Sequence, residues 1–277
     1  MTHPFVSKVF RNVVAGAALF ALFAGATPSL IARAQAGANT KPTIVLVHGA
    51  WADGSSWDGV ISRLQHDGYT VLAPPNPLRG IDADASYLAS FLKTISGPIV
   101  LVGHSYGGMV TSAAATGNGQ VKALVYIDAY VPDAGESVLS LTSERPGSRL
   151  SPDEFAAVPF TTQAGGDADL YIKPAAYASV FASDLPPATA GAMFAEQRPF
   201  ANSALTEKAA GTPAWKSIPS WYLIGDLDRV IPPATQLAMA QRAKANVTHV
   251  NGGHTALVSH PDQATAVILA AAKSVGR

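Results

Sequence analysis

The chain predicts an α/β domain: about six mainly parallel strands with helices on both faces and a helical insertion over the strand ends. Three observations carry this. Short apolar runs alternate with helical periods, as βα units require. The runs are apolar almost throughout, the mark of strands covered on both sides. The composition, 48% hydrophobic and 14% charged over 277 residues, can build a large core and is too poor in charge for a disordered chain.

The elements follow in order. Thr43–Val47 is a β-branched strand ending at His48-Gly49. Ser56–Gln65 places Trp57, Val60, Ile61 and Leu64 at helical spacing. Tyr69–Ala73 is a short strand stopped by Pro74-Pro75. Asp82–Ile95 is a helix with acidic residues at its start and Gly97-Pro98 after its end. Ile99–Val102 is a strand, Tyr106–Ala115 a helix of small residues, and Ala123–Ile127 a strand. The alternation stops near Tyr130 and resumes with strand Trp221–Ile224, helix Pro233–Arg242, strand Val247–Val250 and helix Pro261–Val275. Residues 41–131 and 219–277 are thus expected to form the core. Residues 132–218 are too long for a loop and are expected to form a mostly helical cap, with Pro174–Ser183 and Pro187–Gln197 as helices.

Four motifs sit at the carboxyl ends of these strands. Gly103-His104-Ser105-Tyr106-Gly107 fits G-x-S-x-G between a strand and a helix, the context of a nucleophile elbow. A serine there sits on a tight turn, and flanking glycines let strand and helix approach. The other expected features of an elbow follow the chain. His48-Gly49-Ala50-Trp51 follows the first strand, so the N–H groups of Ala50 and Tyr106 are the candidate oxyanion donors. Asp226 and Asp228 both follow the strand Trp221–Ile224; Asp228 lies further into the loop, where it can reach across, and Asp226 suits bracing the turn. His254 ends Asn251-Gly252-Gly253-His254 after the last strand, placed to act as base on Ser105. His48 is read as support for its loop, His104 as packing, His66 and His249 as solvated, and His260 as help in starting the last helix.

These residues resemble the α/β-hydrolase superfamily, and within it the small branch of plant methylesterases, hydroxynitrile lyases and many bacterial esterases. The resemblance spans about Lys41 to Val275. It rests on Val47-His48-Gly49-Ala50-Trp51, Gly103-His104-Ser105-Tyr106-Gly107-Gly108, Asp228-Arg229-Val230-Ile231-Pro232 and Gly253-His254. It implies Ser105 as nucleophile, His254 as base, and Asp228 as acid, because the branch's Asp-x-x-Ile-Pro segment matches there and not at Asp226. It implies Ala50 as oxyanion donor, hydrolysis of carboxylic esters of small-molecule substrates through an acyl-enzyme, and no metal or other cofactor. The lyases carry Thr and Lys where this chain has Gly49 and Thr255, which disfavours cyanohydrin cleavage. Trp51 is a candidate for the pocket lining; Tyr171, Tyr177, Phe181, Phe194 and Trp215 of the cap are candidates too, though each suits the core of the cap better than substrate contact. The same triad acting on a lactone, amide, C–C bond or peracid, and a non-catalytic ligand receptor, are the alternative readings.

The remaining features concern partners and destination. Lys8 and Arg11, the apolar Val13–Phe23 and Ala34-Gln35-Ala36 describe a signal peptide over residues 1–36, cleaved after Ala36. The apolar run is short of the roughly 20 residues of a membrane span, so export to periplasm or medium without a stable anchor is expected. With 19 basic and 19 acidic residues overall, loss of Lys8, Arg11 and Arg33 leaves a net charge of −3, and no basic run suggests nucleic acid. There is no cysteine, which excludes disulfides, a thiol nucleophile and thiolate metal sites.

Overall fold

The computed structural model describes residues 41–275 apart from residue 164; the expected leader lies outside them. Six strands form one sheet: β1 (Thr43–Val47), β2 (Val71–Leu72), β3 (Ile99–His104), β4 (Val121–Ile127), β8 (Ser220–Gly225) and β9 (Asn246–Val250), in the order β2-β1-β3-β4-β8-β9. Every pairing among them is parallel, and parallel strands require crossovers, which the helices supply.

Alternation within each strand builds two cores. Ile44, Leu46, Val100, Val102, Ala123, Val125 and Leu223 face one side, against α1 (Asp58–His66) and α7 (Pro261–Val275). Helix α7 presents Ala264, Val267, Ile268, Ala271 and Ala272, a helical stripe. Val45, Val47, Ile99, Leu101, Leu124, Tyr126 and Ile224 face the other side. There lie α2 (Ile81–Leu92), α3 (Gly107–Ala114), the cap, and α6 (Pro233–Arg242). No helix among the described residues is long and apolar enough to cross a membrane.

The cap departs from expectation. Alongside α4 (Val138–Glu144) and α5 (Pro187–Glu196), it carries an antiparallel sheet of β5 (Phe155–Thr162), β6 (Gly165–Ile172) and β7 (Phe200–Ala201). A mostly helical insertion is therefore corrected to a mixed one. The reason is in the residues: Phe155, Val158, Phe160, Thr161 and Thr162 are strand formers, and Gly165, at φ 128°, sits where the hairpin turns. The expected helix at Pro174–Ser183 is a single turn, Pro174–Ala176, running into a π-helical turn, Tyr177–Phe181. Ile172, Tyr177, Phe181 and Phe200 pack into the same core as Val45 and Leu101, so the cap shares the apolar interior of the sheet domain.

The order of the sheet positions the site. From β1 the chain steps outward to β2, then returns past β1 to β3 and onward. Ligand crevices in open α/β sheets form at such a reversal, at the carboxyl ends of the strands. The loops after β1, β3, β4, β8 and β9 all open there.

Candidate active site

Ser105 follows β3 with φ 52°, a left-handed conformation that costs a side-chain-bearing residue about 1–3 kcal/mol. Surrounding bonds hold it there: Ser105 N donates to Ile127 O at 3.2 Å, and Ser105 O accepts from Gly108 N at 3.0 Å and Tyr130 N at 3.1 Å. The neighbouring glycines are required by contact. A methyl on Gly103 would meet Gly107 O at 2.7 Å, and one on Gly107 would meet Val47 O at 2.5 Å. At Gly49 it would meet Ser105 Cβ at 2.6 Å, so the loop after β1 comes against the serine only because residue 49 lacks a side chain. Trp51 (φ 56°) and Asp128 (φ 44°) are also left-handed, so the ends of β1, β3 and β4 all concentrate backbone strain.

A line of hydrogen bonds starts at the serine. Ser105 Oγ lies 2.9 Å from His254 Nε2, and His254 Nδ1 lies 2.8 Å from Asp228 Oδ2. The imidazole and the carboxylate are fully buried. Because a carboxylate only accepts, Nδ1 carries the proton and Nε2 is free to accept from the serine hydroxyl. Asp228 is fully engaged: Oδ1 accepts from Val230 N at 2.7 Å and Ile231 N at 3.0 Å, and Oδ2 also accepts from Gln236 Nε2 at 2.7 Å. Asp226, the competing acid, instead lies 2.7 Å from His249 Nδ1 in a half-exposed pair.

The loop after β1 is braced from behind. His48 Nδ1 donates to Gly49 O at 2.9 Å, and His48 Nε2 accepts from Asn76 N at 3.0 Å. In a trans peptide the carbonyl and the next N–H point in opposite directions, so holding Gly49 O fixes where the Ala50 N–H points. Burial depresses the basicity of His48, and more strongly that of His104, so both imidazoles are neutral. His104 Nε2 donates to His254 O at 2.8 Å. Ala50 and Tyr106 both line the cavity at Ser105, and among the described residues neither amide has a protein acceptor. The Tyr106 hydroxyl points the other way, donating to buried Asp84 Oδ2 at 2.9 Å.

The cavity holds about 110 Å³ and is bounded by Trp51, Tyr130, Val138, Leu139, Leu150, Phe155, Phe200 and Val230 among others, with no charged side chain. Of the aromatic residues expected to line it, Trp51 does. Tyr171, Tyr177, Phe181, Phe194 and Trp215 do not, which corrects that expectation. Tyr177 packs on Phe181 and Phe194 inside the cap, Phe181 lies edge-on to His254, and Trp215 Nε1 donates to Pro132 O at 2.7 Å. The cap's share of the wall comes instead from the aliphatic Val138, Leu139 and Leu150 of its first segment and from Phe155 and Phe200 of its small sheet, none of which belongs to a motif.

Asp128, at the end of β4, was not singled out from sequence, although an acid directly after a buried strand is a readable signal. It is fully buried; Oδ1 accepts from Gly225 N at 2.7 Å and Oδ2 from Ala256 N at 3.2 Å. It thereby ties the Asp228 loop to the His254 loop. Burial, reinforced by the Asp228 charge, holds its carboxyl well above the usual range. A carboxyl that binds its proton more tightly when folded adds stability below the unfolded value of about 4 and loses it as pH rises toward the folded value. Asp128→Asn cannot ionise. The difference between its urea midpoint and that of the parent should move in the variant's favour from pH 4 to pH 7; a constant difference would show no such linkage.

Comparison with known proteins places the chain in a fold and a family. In structure the chain is similar to polyneuridine aldehyde esterase, at a TM-score of 0.72 and 18% identity over 83% of this chain and 98% of that one. It is also similar to a pyrethroid hydrolase from Sphingobium faniae JZ-2, at a TM-score of 0.67 and 22% identity over 84% and 98%. Those likenesses establish an α/β-hydrolase fold. In sequence it is 29% identical over 262 residues to alpha/beta hydrolase nvfD of Aspergillus novofumigatus, covering 84% of this chain and 97% of the relative. It is 36% identical over 110 residues to a carbendazim hydrolyzing esterase of Nocardioides sp., covering 35% of this chain and 46% of that enzyme. The alpha/beta hydrolase family model matches residues 44–267, and the chain belongs to that family.

Proposed function

We propose that this protein is a serine esterase that cleaves neutral carboxylic esters of small to medium size through an acyl-enzyme. The observation that carries the reading is the buried line Ser105–His254–Asp228, at 2.9 and 2.8 Å, opening on an uncharged apolar cavity. His254 Nε2 takes the Ser105 proton as Oγ bonds to the carbonyl carbon. Asp228 keeps the proton on Nδ1 and stabilises the imidazolium. The Ala50 and Tyr106 amides receive the oxyanion, each such donor being worth about 3–4 kcal/mol. The C–O bond to the alkoxy group breaks, and the imidazolium protonates the departing alcohol. Water then repeats the sequence, its proton passing to His254 and on to Ser105, and releases the acid. This chemistry needs no metal or organic cofactor, because serine and imidazole supply both nucleophile and base. Similarity to a carbendazim hydrolyzing esterase favours ester bonds over the other bonds the triad could cleave. The leader-like residues 1–36 make it, on this reading, an exported enzyme.

A p-nitrophenyl ester series from acetate to palmitate tests the proposal. Short and medium chains should be turned over, with kcat/KM falling at palmitate, whose chain exceeds the cavity. Absence of turnover across the series would reject the esterase reading.

A further inference from the structure

We propose that the cap segment Tyr177–Asp184 is a positioning strap that sets His254 against Ser105, with Asp184 as its anchoring residue; this rests on the esterase reading above. The segment does not line the cavity, yet it touches three of the loops that build the site. The Tyr177 hydroxyl donates to Trp51 O at 3.0 Å, next to Ala50. Ser179 O accepts from Arg229 Nη1 at 2.8 Å, next to Asp228. The Phe181 ring, fully buried, meets the His254 ring edge-on at 5.2 Å between centroids and 63° between planes. Asp184 then grips both neighbours of His254: Oδ2 accepts from Gly253 N at 2.6 Å, and Oδ1 accepts from the Thr255 hydroxyl at 3.2 Å. Oδ2 also accepts from Ser259 Oγ at 2.6 Å.

Holding the residues immediately before and after an imidazole fixes its backbone and hence the direction of the ring. The fit is close: a methyl on Gly253 would meet Asp184 Oδ1 at 2.7 Å, so residue 253 must be glycine for the grip to form. The strap is itself stiff. Tyr177 N donates to Lys173 O at 2.9 Å, and Ala182 N closes the π-turn on Tyr177 O at 2.8 Å. Single π-turns of this kind recur at functional sites because they aim side chains that an α-helix would not. The other groups facing His254 act differently. Asp228 holds its Nδ1, the neutral His104 donates to its carbonyl, and Asp128 touches the His254 loop at Ala256 N, on the far side of Thr255. Of these acids, Asp184 alone bonds to the residue before His254 as well as the residue after it.

The test is Asp184→Asn in the full chain, with active sites counted by fluorophosphonate titration. Asparagine keeps the shape but replaces one acceptor oxygen with a donor, so one of the loop's donors loses its partner. The expected result is a kcat per titrated site about 10-fold lower on p-nitrophenyl acetate with KM within about twofold, since sub-ångström misplacement of a catalytic group acts on the transition state. The low-field proton resonance of His254 Nδ1 should broaden and move. A cap–core staple with no positioning role would lower the melting temperature while leaving kcat per titrated site and that resonance unchanged, and this result would overturn the proposal. Thr255→Val, which replaces the hydroxyl donor with a methyl of similar size, decides the matter if Asp184→Asn fails to fold: about threefold lower kcat supports the strap, and parental kcat overturns it. A parent chain inactive on every ester would reject the esterase reading alone, because the His254 resonance of the two variants still decides whether the strap positions the ring.

Discussion

Ser105→Ala should abolish ester hydrolysis, lowering kcat by about six orders of magnitude, while leaving the fold intact. On the proposed mechanism the loss is large because the line from Ser105 through His254 to Asp228 acts as one unit. Without Oγ, His254 Nε2 has no proton to take, and the strained turn presents a methyl to the carbonyl carbon. What survives comes from the Ala50 and Tyr106 amides and from binding, which act on a water attack that no residue is placed to direct. The change removes one hydroxyl whose partner is His254 Nε2, and Ser105 is a buried residue in a turn held by three backbone bonds. The melting temperature should therefore stay within a few degrees of the parent. The measurement is kcat on p-nitrophenyl acetate together with fluorophosphonate labelling. Labelling of the parent and not of the variant assigns the nucleophile; equal turnover by both would place the chemistry elsewhere.

Asp228→Asn should lower kcat by about 10⁴-fold with little change in KM. The geometry dictates how. Oδ1 is claimed by the Val230 and Ile231 amides, so the asparagine oxygen stays there and its NH₂ takes the place of Oδ2. That NH₂ then faces His254 Nδ1, which must accept, and the ring proton moves to Nε2. In that tautomer the imidazole cannot take the Ser105 proton. The opposite rotamer sets the NH₂ against two backbone N–H groups and leaves them unpaired while buried, which costs about 1–3 kcal/mol for each. Gln236 cannot relieve the conflict by turning over, because its Nε2 also donates to Ile231 O at 2.9 Å. Asp226→Asn is the control. Its partner is the half-exposed His249, a surface pair worth less than about 1 kcal/mol, and kcat should stay within about twofold of the parent. Comparable losses in both variants would mean that Asp228 acts through loop structure and not through the tautomer of His254.

Residues 49, 103 and 107 show how far local chemistry can be read. A G-x-S-x-G between a β-branched strand and a helix of small residues names its own turn, because only glycine admits the contacts at Val47 O and Gly107 O. The six core strands and most helices around them were legible for a similar reason: short unbroken apolar runs and apolar periods of 3.6 residues are written within a few positions of one another. The cap was less legible. Its hairpin, Phe155–Ile172, is half exposed and interrupted by Pro159 and by the small residues Ala156, Ala157, Gly165, Gly166 and Ala168, so it lacks the alternation that marks a strand buried on one face.

What the sequence determined by itself, then, is what neighbouring residues decide among themselves: the strands and helices of the core, the elbow at Ser105, the order Ser, Asp, His, and the loop that carries Ala50. Tertiary structure decided what depends on residues far apart in the chain. It joined Asp228 and not Asp226 to His254. It assigned the cap's share of the cavity wall to Val138, Leu139, Leu150, Phe155 and Phe200, and Tyr177 and Phe181 to packing. It also brought Gln236, Asp128 and Asp184, none of which belongs to a motif, onto the loops of the site. The physical reason is one of range. Backbone preference and hydrophobic period act over a turn or two of chain. A hydrogen bond such as Asp184 to Gly253, 69 residues apart, exists only after the sheet has gathered the strand ends and the cap has closed over them.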